Sequence, residues 1–308
     1  MKATLLYECK DSIGEAATWL NDLGLFLWVD INGGLLHTYS PDGDAYAAVR
    51  LPARVSTIVP MTDGRLLLSL QGRLIAYDLR TGEQEVLREL FPTDGMMRPN
   101  DGKASPEGRL WLGMMHLSDH SETGALYRVD PDLSIHKMLD KQCIPNGIVW
   151  SEDGSRMYYV DSGRHVVESY RYDMRSGELS YEKPALEIPE DMGVPDGMTI
   201  DADGNLWIAH WGGFGVCVWN PLSGELLDKV EVPVPNVASC TFGRDGLLYI
   251  TTAMDGLSMR EREAYPLSGS LFVASTGMSP GKNHYPLDRK STRLNSSHPH
   301  SSRMPSSA

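Results

Sequence analysis

The sequence predicts an all-β chain folded as a six-bladed β-propeller and closed by its N-terminal strand. Three observations carry this prediction. Short β-rich runs alternate with Gly, Asp and Asn turns, one unit recurs six times, and helical periodicity is almost absent.

The elements follow in chain order. The run from Ala3 to Cys9 is strand-like but has no repeat of its own. The repeats then begin, each with an apolar strand, a glycine turn and a second strand: GLFLWVD at 24–30, GRLLLSL at 64–70, GRLWLGM at 108–114, SRMYYVD at 155–161, GNLWIAH at 204–210 and GLLYITT at 246–252. Their turn glycines are Gly24, Gly64, Gly108, Gly154, Gly204 and Gly246, spaced 40, 44, 46, 50 and 42 residues apart. Periods of about 40–50 residues with strand composition belong to propellers. Third strands also recur, from GGLLHTYSP at 33–41 to GSLFVAST at 269–276. The sixth copy lacks an outer strand, and the N-terminal run is expected to supply it, which removes an open sheet edge. Helix-like composition is confined to a short stretch from Met259 to Ala264.

Residues 1–287 are therefore expected to form one propeller domain. Residues 288–308 are expected to be a disordered, non-native tail: 291–308 read STRLNSSHPHSSRMPSSA, with seven serines and no period.

Composition narrows the function. The 308-residue chain carries 28 basic and 41 acidic side chains, a net charge of −13. Such a chain repels phosphate backbones and anionic bilayers, so nucleic acid and membrane are not expected partners. No apolar run reaches membrane-spanning length and no secretory leader is evident, so a cytoplasmic location is expected. Cys9, Cys143, Cys217 and Cys240 are far apart, with no zinc-finger or C-x-x-C spacing, and read as reduced thiols.

Register locates a site. The first strand of each propeller blade lines the central channel, so equivalent positions converge at one mouth. Eight residues before the turn glycine stand Ser56, Asn100, Asn146, Asp196 and Ala238; in the first copy, whose turn is one residue longer, nine back gives Glu15. Glu15, Asn100, Asn146 and Asp196 thus form a ring of oxygen donors suited to one hard divalent cation, Ca²⁺, Mg²⁺ or Mn²⁺, with Zn²⁺ also possible through carboxylates. Taken singly, Asn146-Gly147 and Asp196-Gly197 are ordinary turn dipeptides; their shared register, with Pro99, Pro145 and Pro195 just before them, argues for the site. His116 and His210 follow second strands and are candidate pocket residues. Trp111, Trp150 and Trp207 are expected between blades. Asp201-Ala202-Asp203-Gly204 lacks the later acidic ligand of a calcium loop and reads as a hairpin turn.

Gly14-Glu15-Ala16, Arg98-Pro99-Asn100-Asp101-Gly102-Lys103, Pro145-Asn146-Gly147-Ile148 and Pro195-Asp196-Gly197-Met198-Thr199-Ile200-Asp201 resemble the gluconolactonase, regucalcin (senescence marker protein) and luciferin-regenerating enzyme family. The resemblance spans about residues 5–285. It implies a six-bladed propeller with one divalent metal in its channel that hydrolyses a sugar lactone to the aldonic acid. It further implies that Glu15, Asn146 and Asp196 ligate the metal, that Arg98 and Asn100 bind substrate oxygens, and that Asp196 is the general base. One departure stands out: where some relatives carry a substrate-contacting Glu, this chain runs Met114-Met115-His116-Leu117-Ser118, which makes His116 and Ser118 the candidate substrate contacts there. The cation would polarise the lactone carbonyl while Asp196 accepts a proton from water. The alternatives are a non-catalytic propeller serving as a protein-interaction or cation-binding scaffold, whose hallmark would be apolar or aromatic residues at the channel mouth in place of converging oxygens, and a related ester or phosphotriester hydrolase. A monomer or weak homodimer is expected.

Overall fold

The computed structural model describes residues 1–90, 95–118, 120–244, 246–282 and 285–288. The tail expected at 288–308 lies outside these residues apart from Asp288.

Six antiparallel four-stranded sheets follow one another along the chain. Their innermost strands are Gly14–Leu20, Val55–Pro60, Met97–Ala104, Pro145–Trp150, Val194–Ile200 and Val237–Phe242, in blades 1 to 6. The sixth sheet is completed by Thr4–Tyr7, which pairs antiparallel with Leu271–Ser275. The N-terminal strand therefore closes the ring, as the missing outer strand required. All six repeat glycines have positive φ, between 61° and 86°. That conformation is costly for a side chain bearing Cβ, which is why glycine recurs at this one point of every blade. The one α-helix among the described residues, Met259–Ala264, is short and starts with a capping box between Ser258 and Glu261.

The core lies between blades. Trp111, Trp150 and Trp207 are essentially inaccessible to solvent. Trp111 of blade 3 packs edge-on against Trp150 of blade 4, Trp207 of blade 5 against Phe242 of blade 6, and Phe26 of blade 1 stacks on Tyr249 of blade 6. Large aromatic rings suit this position because each must fill the wedge left between two twisted sheets. All four cysteines are free.

Neighbouring blades are also joined by hydrogen bonds around the channel, from inner strands and from the turn at Ser162. Thr57 Oγ1 donates to the Asn100 carbonyl (3.0 Å), Asn100 Nδ2 to the Pro145 carbonyl (2.8 Å) and Ser162 Oγ to the Pro195 carbonyl (2.6 Å). The ring is continued by Ala17 N–H donating to Ser239 Oγ (3.4 Å). Asp201 accepts from Asp203 N–H, Asn205 N–H and Trp207 Nε1, so its segment is the expected hairpin turn.

Candidate active site

Each inner strand carries an irregularity at the same level. Register slips between Glu15 and Thr18, Pro99 and Gly102, Pro145 and Ile148, and Pro195 and Met198. These are bulges inside strands, so Asn146-Gly147 and Asp196-Gly197 are not turns. A bulge re-aims one side chain out of the pleat, and here it turns the oxygen-bearing residues into the channel mouth. Glycine follows two of them for steric reasons. A Cβ on Gly147 would lie 2.7 Å from the Asp196 carbonyl, and one on Gly197 2.7 Å from Ser239 Oγ. Gly147→Ala is therefore expected to lower stability by ~1–3 kcal/mol in denaturant titration, through forced separation of blades 4 and 5. An unchanged midpoint would remove this close-approach explanation.

Glu15, Arg98, Asn100, Asn146 and Asp196 line a single pocket of about 320 Å³ at the channel mouth. All five are buried. Glu15 Oε2 accepts from Ala16 N–H at 3.1 Å, and Ala16 itself has φ 55°. Asn146 Nδ2 donates to Ser162 Oγ (3.0 Å), which leaves its Oδ1 with no partner. Asp196 Oδ1 is likewise buried and unpartnered. Arg98 donates from one terminal nitrogen to Asn100 Oδ1 (2.6 Å) and to the Pro99 carbonyl (2.9 Å). These hydrogen bonds take the place of the ion pair that an arginine so buried usually requires.

Burial and the neighbouring carboxyls dominate the electrostatics of these groups. Burial, followed by the charge of Asp196, pushes the Glu15 carboxyl well above its ordinary range. Burial, then Asp101, pushes Asp196 up as well, against the hydrogen bond it shares with Glu15. Burial lowers Arg98 to about 10, offset in part by Glu15. Two buried carboxyls held together and two unpartnered buried oxygens make the pocket floor acidic and oxygen-rich. Glu15, Asn146 and Asp196 offer only oxygen, the donor set of a hard divalent cation. Among the described residues no three His, Cys, Asp or Glu side chains group together, and the third donor here is the Asn146 amide.

The pocket wall departs from the sequence expectation. His116 and Ser118 are outside the lining; Ser118 N–H donates to His116 Nδ1 (3.2 Å) in a local turn. Met115 and His120 line the pocket instead. Strand alternation explains the change. Residues paired across adjacent strands share a face, and Arg98 pairs with Met115 whereas His116 pairs with Met97. The same phase applies in blade 5, where Val194 pairs with Trp211 and both line the pocket. His210, one residue earlier, is fully buried, stacks on Trp219 and bonds Met192 O through Nδ1 (3.0 Å). Burial holds its pKa down at about 4, so it is a neutral strut and not a proton carrier in the pocket. Ile13, Met115, Ile144, Val194 and Trp211 make an apolar collar, and Asp255, His120 and Ser162 complete the lining. Neither Trp211 nor Asp255 was marked by any sequence motif.

A six-bladed propeller with buried oxygen donors, a deep arginine and an apolar collar around one pocket at its channel mouth has the form of a site for a small polar molecule. The chain belongs to the SMP-30/Gluconolactonase/LRE-like family, whose model matches residues 13–254. It is 34% identical over 280 residues to L-arabinolactonase of Azospirillum brasilense, covering 89% of this chain and 92% of that one. Among solved structures it is similar to a calcium-binding protein, regucalcin, from Agrobacterium tumefaciens strain C58, at 25% identity and TM-score 0.87, covering 93% of this chain and 97% of the other. It is also similar to a luciferin-regenerating enzyme, at 30% identity and TM-score 0.83, covering 90% and 96%. Among the described residues no helix is long and apolar enough to cross a membrane.

Proposed function

We propose that this protein is a sugar lactonase: it hydrolyses an aldonolactone to the aldonic acid with the help of one divalent cation held by Glu15, Asn146 and Asp196. The observation that carries this reading is the pair of orphaned oxygens, Asn146 Oδ1 and Asp196 Oδ1, beside the charge-starved Glu15 carboxyl. The family, the arabinolactonase relative and the calcium-binding relative support it.

When bound by Glu15, Asn146 and Asp196, such a cation would supply positive charge to polarise the lactone carbonyl and steady the oxyanion. The chain's own residues do the rest. Asp196, aimed into the pocket by the bulge of its strand, takes a proton from the attacking water. The water oxygen bonds to the carbonyl carbon, the ring C–O bond then breaks, and the ring oxygen leaves as a hydroxyl by taking the proton that Asp196 accepted from water. Arg98, oriented by Asn100 Oδ1, donates to sugar hydroxyls or to the new carboxylate. The collar of Ile13, Ile144, Val194 and Trp211 packs on the sugar ring and excludes bulk water.

Acid release from glucono-, galactono-, arabino- and xylono-lactone, with and without chelator, tests the reading. Turnover should occur on at least one lactone, vanish with chelator and return with added cation. Chelator-insensitive turnover would contradict the cation-assisted mechanism. Tight cation binding with no turnover on any lactone would favour a scaffold or another ester hydrolase.

A further inference from the structure

We propose that Asp255 is a specificity-determining residue of this pocket: its carboxylate selects uncharged lactones over anionic ones and hastens loss of the anionic product. The inference rests on the lactonase reading above and concerns the charge the pocket tolerates.

Asp255 lies in the loop after strand Leu247–Thr252 of blade 6, exposed at the rim of the pocket that Arg98 and Asp196 line from within. Its backbone is pinned. Asp255 N–H donates to the Ser12 carbonyl (2.9 Å), and the Asp255 carbonyl accepts from Asn236 Nδ2 (2.9 Å). The preceding residue is tied down as well, with Met254 N–H also donating to Ser12 O (3.0 Å). The loop backbone is thus fastened to the segment that leads into Glu15, which keeps the Asp255 carboxylate at the rim of the pocket. Among the described residues this carboxylate makes no direct hydrogen bond or ion pair, while its charge reaches Arg98 through the pocket. Arg54, the other arginine near Arg98, is outside the lining and is engaged by Asn32 and Gln71.

Charge balance gives Asp255 its consequence. The Glu15 and Asp196 carboxylates together match a divalent cation, which leaves Arg98 as the surplus positive charge. Asp255 is the lining group that offsets it. A neutral lactone enters such a pocket with no net penalty. Hydrolysis then adds water across the ester bond, giving a carboxylate, a hydroxyl and a released proton. The product differs from the substrate by one negative charge, and a fixed rim carboxylate opposes that charge alone. A lactone carrying a phosphate or second carboxylate meets the same opposition on entry.

The test uses the full chain and its Asp255→Asn and Asp255→Glu variants. The quantities are kcat/KM for a neutral aldonolactone and for the same lactone phosphorylated on its terminal carbon, and the inhibition constant of gluconate. Asp255→Asn should raise the anionic-to-neutral ratio of kcat/KM roughly tenfold and tighten gluconate several-fold, as removal of a facing like charge does; added salt should shrink both differences. Asp255→Glu should restore wild-type values. Equal loss on both substrates, with gluconate affinity unchanged, would overturn the proposal. If the wild type turns over neither lactone, calorimetric titration of gluconate into the cation-loaded protein still decides the matter: tighter binding by Asp255→Asn supports it, and equal binding refutes it.

Discussion

Asp196→Asn should abolish at least 10²-fold of lactone turnover, the usual scale for losing a positioned general base, while leaving the propeller folded. The substitution keeps the side-chain shape and the space between Gly147 and Ser239, so blade packing is preserved. What it removes is a buried negative charge beside Glu15, and burial together with that charge pushes Glu15 up. Activity and stability should therefore move in opposite directions. In chelator, Asp196→Asn should unfold at an equal or higher temperature than wild type, gaining about 1–2 kcal/mol from relief of like-charge burial. With cation present the order should reverse, because wild type gains ligand stabilisation that the variant has lost. Thermal unfolding with and without cation, alongside turnover, gives all three readings. Retained turnover in Asp196→Asn would remove it as the base.

Deleting residues 1–8 should have the largest effect on folding. Thr4–Tyr7 is the outer strand of blade 6, hydrogen bonded along Leu271–Ser275. The same segment is held beyond its blade, with Ala3 N–H on the Glu231 carbonyl (2.9 Å) and Glu231 N–H on the Met1 carbonyl (2.9 Å). Without it, Leu271–Ser275 becomes an open edge on a sheet with two apolar faces, one carrying Leu271 and the other Phe272, both fully buried in the intact ring. An unpaired apolar edge pairs with other chains. The truncated protein should be largely insoluble or aggregated, as read by size-exclusion chromatography after expression. A soluble monomer with unchanged unfolding would show that ring closure contributes little.

The repeat was legible because its signals are local. A glycine in the left-handed region sets each first hairpin, and strand composition surrounds it, so Gly24 through Gly246 mark six blades without any tertiary information. The missing sixth outer strand was legible by subtraction. The floor of the site was legible for a related reason: bulges sit at one level in successive inner strands, so counting eight residues back from the glycine reaches Asn100, Asn146 and Asp196, and nine back in the first copy, with its longer turn, reaches Glu15. The count also found Ser56 and Ala238, which carry no donor suited to the cradle. The wall was less legible. Its members alternate in phase at strand ends, and a bulge of one residue decides whether Met115 or His116, Trp211 or His210, faces inward. Only the cross-strand partners Arg98 and Val194 fix that phase. Asp255 was invisible for a different reason. It reaches the pocket through loop anchoring to Ser12 and Asn236, contacts more than 200 and about 20 residues away in sequence that no periodicity encodes.

The central claim is that Glu15, Asn146 and Asp196 converge on one divalent cation. Anomalous diffraction from crystals grown with Mn²⁺ tests it most directly. One strong peak is expected at the channel mouth, about 2.0–2.6 Å from Asn146 Oδ1 and from oxygens of both carboxylates, the range for hard cations on oxygen. A peak elsewhere, or no peak at saturating Mn²⁺, would contradict the account.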